Sequence, residues 1–175
     1  MEHTVRLTEL AKITGKSRDS IRNDIAYKTV PWIEKNFEKG KQRRFSGSHV
    51  LALTIAEILI AQGHPAKFAS RPIKQLFFEI ERYLEEVENG VTSKNWVLVS
   101  YGSSSQSDSG NYAWIYGQYL SKDDNRHYEI ADSNLAFFSN QVSIAKAYEM
   151  AARRASAVGF VLNGMKISRL SDSSK

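Results

Sequence analysis

The stretch Leu7-Thr8-Glu9-Leu10-Ala11-Lys12-Ile13-Thr14-Gly15-Lys16-Ser17-Arg18-Asp19-Ser20-Ile21-Arg22 carries two helical patterns divided by a glycine. Leu7, Leu10, Ala11 and Thr14 stand at i, i+3, i+4 and i+7, which sets them on one face of a helix. Thr8 is a candidate cap for that helix, and Gly15 stops it. Ser17 is placed to cap a second helix, because its hydroxyl can satisfy amides left free at a helix start. Ile21 and Ile25 give the second helix one apolar stripe, and Val30-Pro31 halts it. Two short helices around a Gly-containing turn predict a helix-turn-helix.

Residues 32–45 follow directly. Trp32, Ile33, Phe37 and Phe45 are apolar anchors, while Glu38-Lys39-Gly40-Lys41 reads as a hairpin tip. Lys35, Lys39, Lys41, Arg43 and Arg44 crowd this loop. A basic hairpin after a helix-turn-helix predicts the wing of a winged helix.

A third helix is expected from Ser46 or Ser48 to Gly63, apolar on more than half its circumference and therefore buried. A long fourth helix is expected from about Ser70 to Asn89, with the stripe Ile73, Leu76, Phe77, Ile80, Leu84, Val87 and glutamates opposite. Asn89-Gly90 stops it and marks a domain boundary. Beyond it the pattern changes. Residues 96–101 and 112–120 read as strands joined by a Gly-Ser loop, and 127–130 as a short third strand. A final helix is expected from Ser139 or Asn140 to about Val158, with Val142, Ala145, Tyr148, Ala152, Ala155 and Gly159 on one face. The fold class is α+β: an N-terminal winged helix-turn-helix, then a long helix and a small antiparallel sheet with a C-terminal helix. The expected division is a DNA-binding unit at 1–75, a connecting helix at 76–90, and a dimerisation or effector unit at 91–175.

The 175 residues are 42% apolar and 25% charged, which supports a packed core and argues against wholesale disorder. No apolar run is long enough for a membrane span, and the first residues have no signal-peptide pattern, so a cytoplasmic protein, bacterial or phage-encoded, is expected. Cysteine is absent, which excludes disulfides, thiolate metal sites and thiol switches. The net charge of +5 is unevenly spread. Residues 1–75 hold 14 Lys and Arg against 7 Asp and Glu; residues 76–175 hold 10 against 12. The basic excess belongs to the N-terminal part, which points to a polyanion partner there.

The N-terminal block resembles the MerR family of winged-helix regulators over about residues 4–75. Leu7 to Ser17 is similar to the family's first helix and turn, and Ser20-Ile21-Arg22 to the Thr-Leu/Ile-Arg of its recognition helix. Arg43-Arg44-Phe45 is similar to the Arg-x-Tyr that ends its wing, His49-Val50-x-x-Leu53 to its Asp-Val-x-x-Leu, and Ala61-Gln62-Gly63-His64 to its Leu-Gly-Phe turn. The recognition helix continues as Asn23-Asp24-Ile25 where the family commonly has Tyr-Tyr-Glu, so tyrosine phosphate contacts do not carry over. Residues 91–175 match no effector domain of the family.

The resemblance and the charge asymmetry imply double-stranded DNA as partner. Arg18 and Arg22, one turn apart, are candidates for guanine edges or phosphates in the major groove, with Ser17 and Ser20 beside them. Lys39, Lys41, Arg43 and Arg44 are candidates for phosphates or a narrow minor groove. His3, His49, His64 and His127 are too scattered to suggest a metal site, and no catalytic motif or cofactor motif is present. The leading expectation is a transcriptional regulator, a repressor acting as a homodimer on a palindromic site. Residues 72–170 are expected to build that dimer, because the stripe of the fourth helix exceeds what a small winged helix can cover. An excisionase-type architectural factor is the first alternative. A sensor of a small-molecule effector, with Tyr112, Trp114, Tyr116, Tyr119 and Tyr128 lining an aromatic pocket, is the second.

Overall fold

The computed structural model describes residues 4–26, 43–63, 69–70, 73–74, 77–91, 97–104, 112–113 and 138–170. In chain order the elements are β1 (Val5–Arg6), α1 (Leu7–Thr14), α2 (Arg18–Ala26), β2 (Arg44–Phe45), α3 (Gly47–Ala61), α4 (Phe77–Glu88), β3 (Val97–Ser104), β4 (Tyr112–Ala113), β5 (Phe138–Ser143), α5 (Ile144–Ala157), β6 (Phe160–Asn163) and β7 (Lys166–Arg169). The fold is α+β, with three small antiparallel sheets among the described residues, ordered β1-β2, β4-β3-β5 and β6-β7.

The first two helices form where the spacing places them. Gly15 ends α1 with φ 71°, a left-handed conformation that a glycine adopts without a Cβ clash. Ser17 Oγ accepts the Ser20 amide at 3.0 Å and caps α2. The start of α1 differs from expectation. Thr8 lies inside the helix, and the carboxylate of Glu9 instead accepts the Arg6 amide at 2.8 Å. A carboxylate serves that position better because it also complements the positive end of the helix.

Helix α3 is the centre of the molecule. Val50, Leu51, Ala52, Leu53, Ile55 and Leu59 are buried around its circumference. Its start is closed by the Ser46–His49 pair: the Ser46 amide donates to His49 Nδ1 at 3.1 Å, and the Ser46 hydroxyl lies 2.8 Å from the same nitrogen. Helices α1, α4 and α5 wrap α3, and β5 passes against it. A helix with no polar face needs such cover, which opens only at its last turn, where Ile60 and Ala61 are exposed. Of the expected stripe on the fourth helix, Ile73, Ile80 and Leu84 are fully buried, Phe77 and Val87 are half-buried, and Leu76 lies outside the described residues. These side chains are covered within one chain, so the stripe does not by itself call for a second copy, as had been expected of it.

The C-terminal part departs most from the sequence reading. Residues 138–143 are strand rather than the first turns of a helix, pairing with β3 from Val97↔Ser143 to Gly102↔Phe138. Ser143 then caps α5 by accepting the Lys146 amide at 3.3 Å. The most buried residues of α5 are Ile144, Ala147, Ala151 and Ala155; of the expected face, Val142 and Ala155 are buried and Ala145, Tyr148 and Ala152 are half-buried against the same core. The expected strand at 112–120 is described only as Tyr112–Ala113, and the one at 127–130 lies outside the described residues.

After α5 comes a hairpin that the sequence reading passed over. Phe160, Leu162 and Ile167 alternate inward, and Gly164 turns the chain with φ 58°. The hairpin docks on the N-terminal helices. Gly47 donates its amide to the Met165 carbonyl at 2.8 Å, and Lys166 pairs with Glu88. Tyr148 donates to the Leu162 carbonyl at 3.0 Å and accepts the Gly164 amide at 3.1 Å. On the neighbouring helix, Arg154 reaches Glu57 at 2.6 Å. The buried side chains from Val5 to Ile167 form one cluster. Residues 144–167, expected in a unit of their own, share the core of the N-terminal helices.

Gly47 opens α3 because nothing larger fits. A Cβ there would overlap the Gly164 carbonyl oxygen, and one at Gly164 would overlap the Leu84 carbonyl. Gly47→Ala is therefore expected to push the hairpin off its seat and lower the unfolding free energy by about 1–3 kcal/mol. Urea titration checks this; an unchanged midpoint would show that the hairpin moves freely.

Candidate nucleic-acid interface

Helix α2 packs Ile21 and Ile25 inward, both buried, and this sets what faces solvent. Side chains four positions apart share a helix face, so Arg18 and Arg22 emerge together. Ser17, Arg18, Asp19, Arg22 and Asn23 are exposed, and Ser20 is half-buried. The expected residues of this helix are thus brought onto one outer surface, although Ser17 already spends its oxygen as the cap.

Two aspartates moderate that surface. Arg22 Nη1 contacts Asp19 Oδ1 at 3.0 Å, with both side chains more than half exposed. An ion pair so open contributes little, because water screens it, and the guanidinium can exchange partners easily. Lys16 pairs with Asp24 at 2.9 Å and ties the turn to the body of α2.

Of the expected wing residues, Lys39 and Lys41 lie outside the described residues. Arg43 is exposed, and Arg44 opens β2 half-buried. Strand β2 pairs with β1 in the register Val5↔Phe45 and Arg6↔Arg44. Val5 and Phe45 both enter the core, so the alternation of a strand turns Arg6 and Arg44 together to the outer face. The β1-β2 ladder stands at the start of α1 and α2 follows its end. At 1.5 Å per residue α1 is about 12 Å long.

Two basic residues beside this surface were not singled out from sequence. Arg6 was visible as a cation just before the first helix, but its cross-strand position was not. Arg169 follows the last element that was read. It reaches Glu9 at 2.7 Å, across 160 positions of chain. Burial disfavours the charged form of Glu9, yet the Arg6 amide and the Arg169 guanidinium outweigh it and hold the carboxyl below its usual range.

Elsewhere the chemistry is sparse. His49 is held neutral by burial, its pKa lowered to about 4, between the rings of Phe45 and Phe77. Among the described residues no three His, Asp or Glu side chains converge as metal ligands, and no helix is long and apolar enough to cross a membrane. Of the proposed aromatic pocket, only Tyr112 falls among the described residues, in β4. Compared with known proteins, the chain matches no family model and has no significant match among curated sequences.

Proposed function

We propose that this chain is a sequence-specific, double-stranded-DNA-binding transcriptional regulator of the MerR-like winged helix-turn-helix kind. One observation carries the reading. A glycine turn and a serine cap present α2 with Arg18 and Arg22 together on its exposed face, and a second arginine pair stands on the outer face of the β1-β2 ladder. In this reading α2 enters the major groove, where arginine donates two hydrogen bonds to guanine. The segment ending at Arg43 and Arg44 follows phosphates or the minor groove, and supplies affinity and register.

A homodimer on a palindromic site is proposed on the size of the contact. One recognition helix covers too few base pairs for genomic selectivity, and two-fold pairing doubles the site. Repression is proposed as its consequence, through occlusion of a promoter. A single palindromic footprint supports this; a row of direct repeats would favour the excisionase-type alternative.

The test is binding to a duplex selected from a random pool. Affinity is expected to fall steeply as salt rises, because phosphate contacts release counterions. Arg22→Ala is expected to weaken the selected duplex by about 1–3 kcal/mol while leaving random duplex nearly unaffected. An Arg22→Ala protein with full affinity for the selected duplex would remove α2 from the interface.

A further inference from the structure

We propose that Arg6 and Arg169 form a second phosphate-contacting site beside the β1-β2 ladder, so that the C-terminal hairpin takes part in binding the duplex. This rests on the DNA-binding reading above and extends it to residues of a part of the chain not expected to touch DNA.

Three observations carry it. Arg6 and Arg44 are direct cross-strand partners on an outward face. Next, the carboxylate of Glu9 accepts from the Arg6 amide through one oxygen and from Arg169 Nη2 through the other. One carboxylate thus brings the hairpin's terminal arginine to the ladder's edge. Last, the Arg169 side chain is 77% exposed even while so held, and its guanidinium lies 5.8 Å from the centre of the Phe160 ring. A guanidinium has five N–H donors, and Glu9 engages only Nη2, so donors remain for a phosphate oxygen. Arg6 and Arg169 against the Glu9 carboxylate that joins them leave this group of three net positive. A duplex backbone presents a series of anions to such a pair of arginines, where a compact anion presents one.

The experiment measures binding of the full chain to a short random-sequence duplex over a sodium chloride series. Arg6→Gln and Arg169→Gln are each expected to flatten the slope of log affinity against log salt by about 0.9, and to weaken binding about fivefold near 0.15 M salt. Glu9→Gln is expected to act oppositely and tighten binding, since it removes the negative charge that holds Arg169. A purely structural role would look different: Glu9→Gln and Arg169→Gln would both lower the melting temperature, and neither would move the slope. That result overturns the inference. If these variants are silent while Arg22→Ala abolishes preference for the selected duplex, the second site fails and the functional reading stands. If the unaltered chain shows no salt-dependent duplex binding, both fail.

Discussion

A chain cut after Gly90 is expected to lose cooperative folding. The segment removed supplies Val142, Ile144, Phe160, Leu162 and Ile167 to the common core, together with the alanine face of α5. Burying a large apolar side chain contributes about 1.5–3 kcal/mol, so these five account for about 10 kcal/mol. Native domains are stable by only about 5–15 kcal/mol in all. The cut also strips one side of α3, which has no polar face to offer water, and removes the Arg154–Glu57 and Lys166–Glu88 pairs. Circular dichroism on heating should show a broad transition or none, against a single sharp one for the full chain. A fragment 1–90 that melts cooperatively near the full-chain temperature would mean that α1 to α4 are self-sufficient. The consequence for function is direct. Loss of DNA binding in such a fragment would report unfolding, so the binding tests above use point substitutions in the whole chain.

The second large effect is a loss of stability between neutral pH and about pH 4, centred on His49. Its ring is buried behind Phe45 and Phe77, and burial lowers its pKa to about 4 from an ordinary 6.5. Because Nδ1 accepts the Ser46 amide, the ring hydrogen belongs on Nε2. Protonation would set a second N–H against that amide and open the start of α3. The folded pKa is depressed, so the unfolded chain binds the proton first. Stability is complete above about pH 6.5 and declines as pH falls toward 4, by about 3 kcal/mol in total. Glu9, held below the usual carboxylate range, adds a loss in the same direction that begins as pH falls through about 4.5. Urea unfolding across this window should show the decline in the natural chain. His49→Gln, whose carbonyl can accept the Ser46 amide, should flatten it. An equal decline in both proteins would falsify the assignment to His49.

Much of the N-terminal architecture was legible because its signals are local. The α1 stripe, the Gly15 turn and the Ser17 cap each depend on residues within about four positions of one another. The burial of α3 was equally plain, since apolar residues around a whole helix have no other stable place. The faces of Arg18 and Arg22 followed from Ile21 and Ile25 pointing inward. Errors grew where local signals competed. Val142 suits a strand as well as a helix stripe, and only pairing with β3 decided for the strand, which moved the start of α5 to Ile144 behind the Ser143 cap. The hairpin at 160–169 had a readable mark in Asn163-Gly164 between alternating apolar residues, but its partners did not.

Amino-acid order by itself therefore determined which segments could be helix or strand and which of their faces must be covered. Tertiary structure alone decided what covers them: that α5 and the hairpin close over α3, that Gly47 seats the Gly164 turn, and that Glu9 gathers Arg6 and Arg169. Periodicity and capping act over one or two turns of chain, whereas these contacts join residues up to 160 positions apart. Such contacts form because the apolar face of α3 needs closure from every side, and nothing local to either partner records which distant segment will supply it.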